Sequence, residues 1–183
     1  MAKQFEKIED DHATFINRQP MFFVGSAADV GRVNVSPKGM DSLRILGPNR
    51  IAWMNLTGSG NETAGHLQLD ARMTLMWCSF ETRPLVLRTY GTARCLHVGD
   101  DGWEALAALF PAHRSARQIY ELEIDLVQTS CGYAVPFMEY TGERPTMQQW
   151  VDAKSDAELR QYWVDKNTQT IDGLPTGIPV DRT

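Results

Sequence analysis

Cysteine and histidine are scarce in this sequence, and they do not occur in the spacings that bind metal ions. The three cysteines, Cys78, Cys95 and Cys131, are odd in number and form no C-x-x-C pair. The four histidines show neither H-x-H nor H-x-x-x-H spacing. A disulfide scaffold needs paired cysteines, and a zinc site needs closely spaced Cys or His ligands. We therefore expect neither a disulfide framework nor a bound metal.

Long apolar runs and clusters of positive charge are also missing. No apolar run approaches the roughly 18 residues that span a bilayer, and the charged N-terminal residues contain no apolar signal core. The formal net charge of −5 disfavours a nucleic-acid partner, because phosphate contacts need clustered Lys and Arg. We expect a cytoplasmic protein that binds neither nucleic acid nor a membrane.

The apolar residues that are present predict short strands with helices inserted between them. An opening helix is predicted over residues 5–18, and a long strand over residues 85–97 is interrupted at Gly91, which indicates a bend or a bulge. Residues 1–142 are predicted to form one domain. Residues 143–183 are predicted to form a helical C-terminal extension packed on that domain.

Residues 118–130 show the clearest alternation in the chain. Tyr120 and Leu122 fall on one side of the predicted strand, and Glu121 and Glu123 fall on the other, so one face should be packed and one should be wet. Six or more short strands, mostly antiparallel by the length of their connections, predict an α+β fold with a mainly antiparallel sheet. The expected architecture is a small barrel with peripheral helices.

The most informative segment lies within residues 50–76 and reads as a strand, a loop of small residues, a capped helix and a second strand. Ser59 and Glu62 fit the S-x-x-E capping box, which predicts that a helix starts near Gly60 or Asn61. A helix start offers unpaired N–H groups and the positive end of a dipole, and both suit a phosphate. An ordinary loop with an ordinary cap is the alternative interpretation.

Four segments in linear order resemble the FMN-binding split β-barrel family typified by pyridoxamine 5′-phosphate oxidase. They are GRVNVSPKG, RIAWMNLTGSGNETAGHL, RMTLMW and LVLRTYGTARCL, and the later SCGYAVPFMEY resembles uncharacterised bacterial members of that family. The resemblance implies a split β-barrel that binds FMN as a homodimer, with the flavin at the subunit interface. It also implies an oxidoreductase whose substrate is a small molecule.

The same resemblance implies three groups of flavin-binding residues. One group meets the edge of the flavin ring with N–H donors, one lines the flavin, and one forms the phosphate-binding turn. In that order, they are Ser36, Pro37, Lys38 and Gly39; Trp53, Met54 and Asn55; and Gly60, Asn61, Glu62 and Thr63. A solvated turn lysine is the alternative for Lys38, and a plain core residue is the alternative for Trp53.

The sequence departs from the family pattern at the phosphate-binding turn. The family usually places an Arg-Lys pair where this chain has Glu62 and Thr63. The capping box would let Glu62 fold back onto the N–H of Ser59, away from a phosphate. Arg88 is the candidate for the missing positive charge, because a bidentate guanidinium suits phosphate, although it also fits a surface strand position.

A second departure concerns the substrate. The oxidase's C-terminal pattern, a Trp with an Arg-x-His arrangement, is not evident in IDGLPTGIPVDRT, so pyridoxamine phosphate is not expected as the substrate. The sequence predicts an FMN-dependent oxidoreductase acting on an unidentified small molecule. A deazaflavin-dependent reductase, a non-catalytic flavin- or haem-binding protein, and a domain that has lost its cofactor remain open. No acid–base residue stands out, which flavin chemistry permits because the cofactor carries the reaction.

Overall fold

The computed structural model describes residues 2–180, most of which form one antiparallel sheet and the short helices around it. In chain order the elements are β1 (Lys3–Phe5), α1 (Asp10–Arg18), β2 (Phe22–Ser26), β3 (Asn34–Lys38), β4 (Leu43–Gly47), β5 (Arg50–Leu56), α2 (Glu62–Leu67), β6 (Arg72–Cys78), β7 (Val86–His97), α3 (Trp103–Ala107), β8 (Ala116–Ser130), α4 (Thr146–Asp152) and α5 (Asp156–Asn167).

The strands form a split β-barrel. Seven of them are hydrogen-bonded in the order β3-β2-β6-β7-β8-β5-β4, and β1 pairs with β8. Every pairing is antiparallel. Strands β3 and β4 follow each other in the chain but lie at opposite ends of this path, so the sheet is not closed. The prediction of a mainly antiparallel split barrel with peripheral helices is therefore confirmed.

Both faces of strand β5 are buried, and each face packs into a different apolar core. Ile51 and Trp53 belong to the main core, where the Trp53 ring stacks on that of Tyr120 with centroids 4.4 Å apart. Ala52 and Met54 point the other way, into a smaller core that also contains residues of α3. This double burial anchors β5 firmly and holds the polar residue at its end, Asn55, in a defined position.

The alternation predicted for β8 is confirmed from Tyr120 to Asp125, except at Glu121. Tyr120 is fully buried and Glu123 is exposed, as expected. Beyond the register shift at Asp125 the pattern changes phase, and Val127, not the predicted Leu126, is fully buried in the main core.

Glu121 is only 4% exposed, although the pattern placed it on the wet face. Its carboxylate forms ion pairs with Arg50 at 2.7 Å and with Arg94 at 2.5 Å. Two cations from the neighbouring strands thus satisfy a charge that would otherwise be costly to bury.

The opening helix predicted over residues 5–18 is wrong in its first part. Lys3–Phe5 forms β1, which pairs with β8, and the helix begins only at Asp10. Glu9 caps it in a reciprocal arrangement with His12. A strand of three residues is too short to show a periodic pattern, so its pairing partner and not its own sequence decides its conformation.

The bulge predicted at Gly91 is confirmed. The pairing register of β7 and β8 shifts between Tyr90 and Gly91. A Cβ atom added at Gly91 would lie 1.8 Å from the backbone oxygen of Glu123. No side chain fits there unless the backbone of β8 moves, so this position requires glycine.

Gly91→Ala is expected to lower the free energy of unfolding by about 1–3 kcal/mol, the usual cost of forcing extra volume into a packed structure. Gly47→Ala is the matched control, because a Cβ at that strand residue would have nothing within 4 Å. Urea unfolding of both variants measures the difference. Equal stability of the two variants would contradict the close approach at Gly91.

Candidate functional site

Strands β3, β5 and β8 and the turn before α2 bring polar groups together around one small cavity, which we call the cradle. Alternate residues of β3 face it, as the period of a strand requires. Its volume is about 220 Å³. Its lining consists of Asn34, Ser36, Lys38, Asn55, Gly58, Ser59, Gly60, Asn61, Glu62, Thr63 and Arg117. Residues predicted from three separate segments of the sequence thus lie in one site.

Lys38 lies in the cradle, in surroundings that weaken its charge. Its Nζ donates to Asn55 Oδ1 at 3.2 Å and lies 5.3 Å from the centre of the Trp53 ring. Burial, and secondarily the positive charge of Arg117, lower the pKa of Lys38 to about 8. The alternative of a freely solvated turn lysine does not describe Lys38 in this fold.

Arg117 is the cation that the sequence analysis missed. It is 3% exposed, and its guanidinium donates to the Gly60 carbonyl oxygen at 3.1 Å and to Gln118 Oε1 at 3.0 Å. No carboxylate of residues 2–180 forms an ion pair with it, and burial lowers the pKa of Arg117. Buried charges are ordinarily paired. Arg117 and Lys38 therefore make the cradle a place where an anion would be stabilised.

Glu62 also lines the cradle, but its carboxylate is bonded to the C-terminal segment. Its two oxygens accept hydrogen bonds from the N–H of Ile171 at 3.1 and 3.3 Å. The predicted capping box is therefore wrong: Asn61 is the N-cap of α2, the helix begins at Glu62, and the carboxylate is held by Ile171 and not by Ser59. The carboxylate at this departure from the family pattern is therefore bonded by a residue more than a hundred positions later in the sequence.

Asn61 and Thr63 use their side chains to shape the turn. Asn61 Nδ2 donates to the Asn167 carbonyl oxygen at 2.9 Å, and Asn61 Oδ1 accepts from Gln118 Nε2 at 3.1 Å. Thr63 Oγ1 accepts from Asn34 Nδ2 at 3.2 Å. The donors that remain for a ligand beside the turn are therefore the guanidinium of Arg117, which lies in β8, and the first N–H groups of α2, which have no partners within the helix.

Five of the predicted residues lie outside the cradle: Pro37 and Gly39, which line a neighbouring cavity, and Trp53, Met54 and Arg88. Trp53 is fully buried in the main core, so its plain-core alternative describes its position, and Met54 packs in the smaller core. Arg88, in the middle of β7, donates to Ser130 Oγ at 3.3 Å. Within one chain, the arginine beside the turn is Arg117 and not Arg88. The position of Arg117, just before the alternating run of β8, carries no motif by which the sequence could reveal it.

A larger, mostly apolar cavity of about 640 Å³ adjoins the cradle at Lys38 and Gly58, which line both. Pro37 and Gly39, two more of the predicted residues, contribute to one side of it. Another side comes from the C-terminal helices, in which the rings of Trp150 and Tyr162 meet edge to face with centroids 5.0 Å apart. Its volume is in the range of about 300–1,000 Å³ that is typical of ligand pockets.

Two negative observations hold for the part of the chain that the structure describes. No group of three His, Cys, Asp or Glu side chains there could hold a metal ion. No helix there has both the length and the apolar character that crossing a membrane requires.

Two sequence comparisons show the family of this chain. The family model described as "Pyridoxamine 5′-phosphate oxidase" matches residues 8–131. The "Pyridoxamine 5′-phosphate oxidase family protein ustO" of Aspergillus flavus is 33% identical over 189 aligned residues, which cover 93% of this chain and 76% of that protein.

Solved structures show the same fold at low sequence identity. HupZ of Group A Streptococcus matches with a TM-score of 0.55 at 18% identity, covering 67% of this chain and 99% of HupZ. A candidate pyridoxamine 5′-phosphate oxidase of Lactobacillus delbrueckii matches with a TM-score of 0.54 at 20% identity, covering 67% and 94% of the two chains. On the strength of the matched family model and the sequence relative, the chain belongs to the pyridoxamine 5′-phosphate oxidase family.

Proposed function

We propose that this protein is an FMN-dependent oxidoreductase that acts on a small molecule. The observation that carries the proposal is the buried Arg117, which lies beside Lys38 with no carboxylate paired to it within residues 2–180. An anionic cofactor would supply the missing negative charge. Membership of the family supports FMN as that cofactor.

The residues present fit FMN in charge and in polarity. The cradle offers Arg117, Lys38 and the N–H groups of the turn to the phosphate and to the polar edge of the ring, while Glu62 is occupied by Ile171. The adjoining cavity offers apolar and aromatic walls to the ring, including Pro37.

When bound, FMN supplies the hydride or electron transfer itself. The chain binds and orients it, and the Lys38 ammonium is placed to donate a hydrogen bond and positive charge to it. The substrate then occupies the part of the apolar cavity that the C-terminal helices line, next to Trp150 and Tyr162. This wall differs from the C-terminal Arg-x-His pattern expected of an enzyme for pyridoxamine phosphate.

Absorption spectra of the purified protein, before and after loading with FMN, test this proposal. We expect two flavin bands, in the blue and the near ultraviolet, and loss of the blue band when NADH or NADPH is added without oxygen. Flavin bands that neither nucleotide bleaches would favour a non-catalytic binder, a sharp Soret band would favour haem, and no binding of any added flavin would favour an interaction module. A Soret band or a failure to bind flavin would contradict the proposed cofactor, and unbleached flavin bands would contradict reduction by a nicotinamide.

We also propose that the protein is a homodimer. Tyr133, Phe137, Met138 and Tyr140 lie close together in the sequence and are 83%, 78%, 61% and 57% exposed. Exposed apolar residues concentrated in this way mark interaction surfaces. Light scattering should therefore give twice the chain mass of 20.6 kDa. A mass of one chain at micromolar concentration would contradict the proposal.

Arg117→Met is expected to weaken FMN binding by about 10- to 100-fold, the range for hydrogen bonds to a charged group. Riboflavin binding should change less, because riboflavin has no phosphate. Methionine keeps most of the apolar stem of the side chain. Arg88→Met is the matched control, since Arg88 contacts Ser130 and does not line the cradle. Fluorescence titration measures the affinities of the wild type and both variants for FMN and for riboflavin. A larger loss of FMN affinity in Arg88→Met than in Arg117→Met would identify Arg88 as the phosphate ligand.

FMN affinity should also decrease as the pH rises through about 8, the pKa of Lys38 in the free protein. Below that pH, Lys38 is charged before binding. Above it, binding an anion must also take up a proton, which costs affinity by up to about tenfold per pH unit. In Lys38→Arg the charge persists at pH 9, so its affinity should stay flat between pH 7 and 9. A wild-type affinity that is as independent of pH as that of Lys38→Arg would contradict a role of the Lys38 charge in binding FMN.

A further inference from the structure

We infer that Asn167, at the end of α5, is a positioning residue for the cradle. It acts through the turn of residues 57–61 and does not line the cradle itself. Its influence on a cofactor rests on the proposed function, whereas its hold on the turn does not. Separate measurements therefore test the two claims.

Asn167 is bonded to two residues of the turn, Gly58 and Asn61. It is fully buried, and its Nδ2 donates to the Gly58 carbonyl oxygen at 3.0 Å. Its own carbonyl oxygen accepts from Asn61 Nδ2 at 2.9 Å and from Thr176 Oγ1 at 2.6 Å. One residue of the C-terminal extension thus fixes two points of a loop that lies more than a hundred residues earlier in the chain.

Trp163, one turn earlier in α5, holds the start of the same loop. Its Nε1 donates to Thr57 Oγ1 at 2.8 Å. Thr57 Oγ1 in turn donates to the Ser115 carbonyl oxygen at 2.9 Å, two residues before Arg117. The helix therefore ties the turn to the beginning of the strand that carries the buried arginine.

These contacts occupy groups that would otherwise repel an anion. The Gly58 carbonyl oxygen is bonded to Asn167 and lies 3.5 Å from Arg117 Nη1, and the Gly60 carbonyl oxygen is bonded to Arg117 Nη2. The Glu62 carboxylate accepts from Ile171 N–H, four residues after Asn167. With these oxygens already bonded, the guanidinium of Arg117 lines the cradle without any of the three groups left free beside it to repel an anion.

Hydrogen exchange without any ligand tests the hold on the turn. Asn167→Ala removes the donor to Gly58, and Trp163→Phe removes the donor to Thr57 while keeping an aromatic ring. In each variant two amides that are hydrogen-bonded at the turn should exchange about tenfold faster, as expected for the loss of a hydrogen bond of ordinary net strength. They are the amide of Thr57, which donates to the Ser115 carbonyl oxygen, and that of Gly65, which donates to the Asn61 carbonyl oxygen. Gln161→Ala is the control, because Gln161 is exposed on the same helix and its side chain donates to Asp165, away from the turn. Unchanged exchange in both Asn167→Ala and Trp163→Phe would overturn the inference.

Cofactor affinity provides the second measurement. In Asn167→Ala and Trp163→Phe the dissociation constant for FMN should rise about tenfold, while that for riboflavin rises less than threefold. A merely structural role would weaken both ligands equally and lower the melting temperature in step, which would contradict positioning of the phosphate. If the wild-type protein binds no FMN, the proposed function fails, and the exchange measurement still decides whether Asn167 holds the turn.

Discussion

The site depends on one constraint: two cations, Arg117 and Lys38, share one small cavity. Moving a charged group out of water costs several kcal/mol even after the protein relaxes. The cost at Arg117 is offset in part by carbonyl oxygens of the turn and by Gln118, and at Lys38 by Asn55. Polar neighbours satisfy hydrogen-bonding capacity but do not neutralise charge. No carboxylate of residues 2–180 forms an ion pair with either cation. An anionic ligand would neutralise their charge.

Gln118 organises the polar groups around these cations. It is fully buried, its Oε1 accepts from Asn55 Nδ2 at 3.0 Å and from Arg117 Nε at 3.0 Å, and its Nε2 donates to Asn61 Oδ1 at 3.1 Å. The pairing register of β5 and β8 places Asn55 directly opposite Gln118. A slip of that register by one residue would separate them, because successive side chains of a strand face opposite ways. The two cores that bury β5 therefore also fix the chemistry of the cradle.

Those parts of the site that depend on local chain chemistry could be predicted. The alternation of β8, the glycine bulge in β7 and the small-residue turn before α2 all follow from rules that act over a few residues. Lys38 and Asn55 were placed in the site by resemblance, and the structure brings them within hydrogen-bonding distance. Arg117 was missed because its role depends on which strand lies beside β8. Glu62 was assigned the wrong partner, since a local capping pattern was also available.

The sequence by itself determined the mainly antiparallel barrel, the turn of residues 57–61 and the shortage of positive charge in that turn, because these depend on composition and on short-range periodicity. Only the tertiary structure decided that Arg117 supplies the cation, that Ile171 holds the Glu62 carboxylate, and that Asn167 braces the turn. Each of these contacts joins residues more than fifty positions apart. Their geometry is set by strand register and by the docking of α5, and neither leaves a periodic mark in the sequence.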